Sequence, residues 1–239
     1  MLLHKPAFSL KIHVFFINLL YNYFVMYMKK LELKPIIISI SLVVFQSILY
    51  ALSKVINGSN AALIGGHIDS LIPFNTLAIV PYCIWYFLIF IIPYYYYKKD
   101  KELISKYIVS YVLITIIANI IFIVCPTTVN RPTVSGNDIF SIMTKIVFFV
   151  DNEPLNCFPS LHCAISFLWI IYTLSMKNSN KYFKLFITII SILIIISTLF
   201  IKQHVFIDMI GGICITSLVV IIINHSNYLI NKTKSVLKL

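Results

Sequence analysis

Of 239 residues, 60% are hydrophobic and only 11% charged, against roughly 45–50% and about 25% in ordinary soluble chains, and the mean hydropathy is +0.94. Those figures exclude a water-soluble globule. The net charge of +11 does not imply nucleic acid either, because the basic residues fall in short clusters between apolar runs, which is a pattern of membrane orientation.

Residues 1–27 come first and stand apart. Phe8 to Tyr27 is apolar enough to form an interfacial or spanning helix, with Lys5 and Lys11 ahead of it. Met28-Lys29-Lys30 followed by an apolar run also reads as the start of a first membrane helix. Residues 1–27 are therefore an extension of doubtful status: a product of start-codon choice, a signal peptide, or an extra helix that would invert the N-terminus. Residues 28–239 read as one membrane-embedded domain, since no repeat and no Gly/Ser- or Pro-rich linker divides them.

Apolar runs near the ~20 residues needed to cross a bilayer predict spans at about 35–56, 76–97, 102–125, 160–176, 183–201 and 205–225. The expected fold is therefore all-α, a polytopic six-helix membrane bundle, and spans of this length argue against a β-barrel. The stretch 139–150 is apolar but too short to cross, and reads as an interfacial or re-entrant helix within the longest loop, 126–159. Five cysteines, Cys83, Cys125, Cys157, Cys163 and Cys214, lack metal-ligand spacing. They are expected as free thiols, with a Cys125–Cys157 bridge as the alternative.

Allotting basic residues to alternate sides places thirteen on one side: Lys29, Lys30, Lys34, Lys98, Lys99, Lys101, Lys106, Lys177, Lys181, Lys184, Lys232, Lys234 and Lys238. Four fall on the other, Lys54, Arg131, Lys145 and Lys202. By the positive-inside rule the thirteen face the cytoplasm, and loops 57–75, 126–159 and 202–204 face out. Tyr94 to Tyr97, ahead of Lys98, fit an aromatic belt at the inner interface. The Ile- and Lys-rich, Arg-poor composition points to an AT-rich bacterial genome and hence a bacterial plasma membrane.

Three outer-face patches hold the chemically capable residues. The first is Asn130-Arg131-Pro132, with the chain's single arginine; a guanidinium matches phosphate oxygens with a planar fork that lysine lacks. On its own, Arg-Pro reads first as the end of a loop turn. The second patch runs Cys157-Phe158-Pro159-Ser160-Leu161-His162, at a helix start whose free N–H groups favour an anion. Ser160 there is also a plain N-cap candidate, and His162 an interface histidine. In the third, Lys202-Gln203-His204 with Asp208, the histidine and carboxylate are four apart, so on a helix they share a face. Asp208 would then take Nδ1–H and leave Nε2 as nucleophile or base. An ionised residue one turn into an apolar helix costs ~2.5–3.5 kcal/mol, so Asp208 needs a partner or a function. Gly211-Gly212 reads as close helix packing.

Arg-Pro, then Pro-Ser-x-His, then Ser-x6-His-x3-Asp resembles the three-part motif of the type 2 phosphatidic acid phosphatase superfamily, over roughly residues 68–215. Asp69-Ser70-Leu71-Ile72-Pro73-Phe74, Pro81-Tyr82-Cys83-Ile84-Trp85-Tyr86 and the Pro-Ser-Leu-His form look most like its branch related to inositol phosphorylceramide synthases. The resemblance implies a six-helix bundle and metal-independent phosphoryl transfer through a phosphohistidine. It implies His204 as nucleophile, Asp208 as its orienting carboxylate, and His162 as the acid that protonates the leaving oxygen. Arg131 would be a phosphate ligand, with Ser160 assisting. Three positions depart from the motif: Val124 stands for a lysine, Leu161 for a glycine, and Thr198 for an arginine. Two phosphate-binding cations are thus absent, and Lys202, two residues from His204, is the candidate to restore one.

The expectation is a membrane lipid-phosphate phosphatase acting on a phospholipid or polyprenyl (di)phosphate at the outer leaflet. The alternatives are a head-group transferase using the same phosphohistidine, and a non-enzymatic membrane protein. The expected partners are the bilayer and a lipid phosphate substrate, with no nucleic acid, cofactor or metal.

Overall fold

The computed structural model describes residues 32–57, 60–177 and 179–238. The expected N-terminal extension, 1–27, lies outside the described residues. The chain divides into two units, 1–37 and 38–239. Of the first, only the beginning of helix α1 is described; the second holds the remainder of that helix and every other element.

Nine α-helices are described. The long ones are α1 (Leu33–Asn57), α3 (Ile79–Lys99), α4 (Lys101–Val124), α7 (Lys181–Phe200) and α8 (Phe206–Asn224). These five, α3 taken with the 3₁₀ turn Thr76–Ala78 before it, are long and apolar enough to cross a membrane. The fold is all-α and polytopic, as the apolar runs predicted, with ends within two residues of expectation. Lipid-facing character is visible along α1, where Ile40, Val44, Ile48, Leu52 and Val55 form an exposed apolar stripe at helical spacing.

The expected fourth span is α6 (Leu161–Ser175), only 15 residues and so about 22 Å long at 1.5 Å per residue, short of a ~30 Å hydrocarbon core. It is the axis of the bundle. Helices α3, α4, α7 and α8 all pack on it, and Cys163, Ala164, Ile165, Ser166, Leu168, Trp169, Tyr172 and Thr173 are buried. A helix sheathed by protein need not itself match the lipid. Buried hydroxyls tie the neighbours to it: Tyr96 Oη lies 2.7 Å from Thr173 Oγ1, Ser110 Oγ lies 2.7 Å from Tyr172 Oη, and Thr216 donates to Ala164 O at 3.0 Å. Each satisfies a group that is costly to leave unpaired in an apolar interior.

Three short helices complete the chain. Helix α5 (Ile139–Val150) has the bounds expected of the interfacial segment. It buries Ser141 and Thr144 and exposes Ile139, Ile142, Ile146, Phe149 and Val150, the reverse of a helix facing water. Helices α2 (His67–Leu71) and α9 (Asn227–Leu237) were not expected. The first is one turn long, and the second carries no apolar run. At one end of the bundle, strands β1 (Ala62–Leu63) and β2 (Thr127–Thr128) pair in parallel and join the loops after α1 and α4.

Gly212 lets α8 approach the start of α6. A Cβ there would sit 2.5 Å from Ser160 O and 3.0 Å from Ala164 N, both backbone atoms that cannot yield. This close approach brings the chain before α8 beside the chain before α6, as the Gly-Gly reading anticipated.

Candidate active site

Helix α7 ends at Phe200, and the N–H groups of Gln203 and His204 both donate to Thr198 O, at 3.0 and 3.1 Å. Closing that helix end puts Lys202 in the left-handed region, φ 57°. Strain of this kind needs external support. The Lys202 side chain supplies it, donating through Nζ to Asp69 O at 2.8 Å and Ile72 O at 2.5 Å.

His204 is not on a helix, contrary to the shared-face expectation. It lies before the N-cap Val205, and Asp208, third residue of α8, reaches back to it. Asp208 Oδ2 accepts from Val205 N at 3.0 Å and lies 3.3 Å from His204 Nδ1. One fully buried carboxylate thus caps the helix and orients the ring, leaving Nε2 on the far side. A second carboxylate braces the same turn: Asp69 accepts from Phe206 N at 2.7 Å and Gly66 N at 2.8 Å.

Ser160 caps α6, its hydroxyl accepting from Cys163 N at 3.3 Å, and its own N–H donates to Asp208 O at 3.0 Å. Fully buried and engaged in this way, its side chain builds the helix start. The first-turn N–H groups of Leu161 and His162 remain without intrahelical acceptors. The His162 ring is stacked on Tyr82 at 4.7 Å between centroids, lies 4.3 Å from Trp85, and stands 6.1 Å from the His204 ring.

Arg131 reaches this cluster through Gln203. Its Nη2 donates to Gln203 Oε1 and to Asp151 Oδ2 at 2.6 Å, and its Nη1 to Asp151 O. Asp151 is also paired with Lys54, Nζ to Oδ1 at 2.9 Å. Burial pushes the Asp151 carboxyl up, but hydrogen bonds from Arg131 and Lys54 outweigh it and hold the group below the usual carboxylate range. Arg131 Nε, Gln203 Nε2, His162 Nε2 and Asp208 Oδ1 are all buried and without hydrogen-bond partners. They are four of the eight buried side-chain atoms left so among the described residues, and three of the four can donate.

The structure therefore brings Arg131, His162, His204 and Asp208 to one end of the bundle, while Lys202 is held on the 69–72 segment. Sequence reasoning passed over Gln203, Asp151 and the bracing role of Asp69. A signal existed: the chain has only eight acidic residues, and Asp69, Asp151 and Asp208 all stand here. The five cysteines are free thiols. Among the described residues, no group of three His, Cys, Asp or Glu side chains is placed to hold a metal ion.

Five helices long and apolar enough to cross a membrane, with a histidine pair, a buried carboxylate and an arginine gathered at one end, place the chain among polytopic membrane proteins. A family model described as the PAP2 superfamily matches residues 67–222, a stretch holding every motif residue named above, and the chain belongs to that superfamily. With membership goes a phosphatase or phosphotransferase type of activity on lipid phosphates. Comparison with curated proteins and with solved structures found no match.

Proposed function

We propose that the protein is a membrane lipid-phosphate enzyme that works through a phosphohistidine on His204. The observation that carries this is the set of unpartnered buried donors beside an oriented histidine: Arg131 Nε, Gln203 Nε2 and His162 Nε2 around His204–Asp208. His204 Nε2 attacks phosphorus and the bond to the lipid oxygen breaks. His162 gives its proton to that oxygen. Arg131 and the first-turn N–H groups of α6 stabilise the equatorial oxygens. Water then attacks the phosphohistidine, His162 takes its proton back, and phosphate leaves. Asp208 stabilises the charge on the His204 ring, and no step calls on a metal.

Transfer of a phosphorylated head group to a lipid hydroxyl is the second reading, and charge favours it. The Lys202 ammonium is spent on backbone carbonyls, and the Arg131 fork is shared with a carboxylate. The cradle therefore suits a phosphodiester monoanion better than a monoester, which carries ≈ −1.5 to −2 at pH 7. Purified protein incubated with phosphatidate, a polyprenyl diphosphate and phosphodiester lipids, with and without acceptor lipid, tests both readings. Products identified by mass should show phosphate release or head-group transfer, undiminished by excess chelator. Folded protein that turns over none of them, or only after zinc or magnesium is restored, would contradict the proposal.

We further propose that this end of the bundle faces outside, at the outer leaflet of a cell membrane, with the lysine-rich end in the cytoplasm. The support is the thirteen-to-four division of basic residues. Asn137→Cys, in a background whose five cysteines are replaced, should react with an impermeant thiol reagent on intact cells. Labelling only after the inner face is opened would reverse the orientation.

A further inference from the structure

Asp151 belongs to none of the three motif patches, yet it is the residue to which the single arginine is bound. Arg131 reaches its side chain and its carbonyl together. The opposite oxygen, Oδ1, takes Lys54 Nζ at 2.9 Å and lies 3.4 Å from Tyr50 Oη, both on α1. The same lysine also donates to Glu153 O at 2.8 Å. A carboxylate is therefore held between two cations from separate elements, in line Lys54–Asp151–Arg131. The Arg131 side chain is 9% exposed, against 28% for Asp151 and 21% for Lys54. The guanidinium is thus on the protein side of the triad, and its Nε is buried without a partner.

This arrangement does two things to any phosphate beside His204. It fixes the guanidinium so that Nε, with Gln203 Nε2, is what remains to be offered. It also sets a negative charge behind the site's main cation, and Lys54 offsets that charge only in part. A second negative charge on the substrate meets Asp151 as well as Arg131, and in a partly water-excluded site that repulsion is weakly screened.

We propose that Asp151 is a specificity-determining residue, which positions Arg131 and sets the charge of the phosphate cradle so that a phosphate monoanion, as in a phosphodiester, is preferred over a monoester dianion, with Lys54 as its counterweight. The proposal rests on the phosphoryl-transfer reading above.

Two substrates sharing one leaving group isolate the effect: p-nitrophenyl phosphate, and the same compound carrying an alkyl ester on phosphorus. Differences in leaving-group protonation then cancel in the ratio of their kcat/KM values. At pH 8, where the monoester is a dianion, Asp151→Asn should raise the monoester-to-diester ratio by roughly tenfold. Lys54→Gln should lower it, because Asp151 then loses its counterweight. Asp151→Glu, which retains the charge, should keep the wild-type ratio. At pH 5 a substantial part of the monoester is the monoanion, and the Asp151→Asn shift in the ratio should shrink. Tyr50, Lys54 and Arg131 are the groups that face the carboxylate, and comparing Asp151→Asn with wild type at each pH cancels whatever the two proteins share.

A purely structural role predicts instead that Asp151→Asn and Lys54→Gln change both substrates by one factor, and that result would overturn the inference alone. Should Asp151→Asn fail to fold, the downward shift in Lys54→Gln carries the test, and no shift there is equally fatal. Folded wild-type protein that turns over neither these compounds nor any lipid of the panel above would overturn both this inference and the reading beneath it.

Discussion

His204→Ala is expected to abolish turnover of every phosphate substrate, with the protein still folded. On the proposed mechanism His204 is the nucleophile, and no neighbour is placed to replace it: His162 is packed between Tyr82 and Trp85, and Lys202 is held on Asp69 O and Ile72 O. Losing a covalent nucleophile costs on the order of 10⁴–10⁶ in rate. The fold should survive because Asp208 keeps its bond to Val205 N, and with it the cap of α8. Phosphate release or product formation, measured beside a thermal unfolding midpoint, checks both halves. Turnover near the wild-type rate would leave His204 and Asp208 with a structural role alone.

Asp208→Asn is the next largest expected effect, and a sharper one because the substitution is nearly isosteric. An amide oxygen can still accept from Val205 N and from His204 Nδ1–H, so the cap and the ring orientation persist. What disappears is the charge. On the proposed mechanism the ring carries a positive charge once phosphorus is bonded to Nε2, and the fully buried carboxylate is its counter-ion. Replacing the carboxylate of a catalytic histidine with an amide costs up to about 10⁴ in kcat. A fall of at least about 10², with KM and the unfolding midpoint little changed, is the outcome that separates catalysis from capping. Activity within a few-fold of wild type would leave Asp208 as a helix cap alone.

Much of the bundle was legible because crossing a membrane demands long apolar runs, and those runs fix their own ends. The α5 segment was readable for the same reason: twelve apolar-rich residues are too few to cross. Helix α9 was not, because its stability depends on packing against α4 and α8 and no local pattern of span length announces it. Within the candidate site, the residues that the proposed mechanism uses were visible as types: a lone arginine, two histidines, and a carboxylate in an apolar run. Their supports were not. Asp69 braces Phe206, 137 residues away, and Arg131 finds Gln203 across 72; such partnerships exist only once loops meet. Even the local pair His204–Asp208 was right in spacing and different in cause. The four-residue interval reflects a carboxylate reaching back from the third residue of α8, where a shared helical face was expected.

The most direct test of the account is to quench the protein in mid-turnover with a phosphorus-labelled substrate and map the bound phosphoryl group by mass. An acid-labile, alkali-stable adduct on the peptide containing His204 is expected, absent from His204→Ala and slower to form in Asp208→Asn. Steady turnover with no adduct under any quench, or an adduct on another residue, would contradict it.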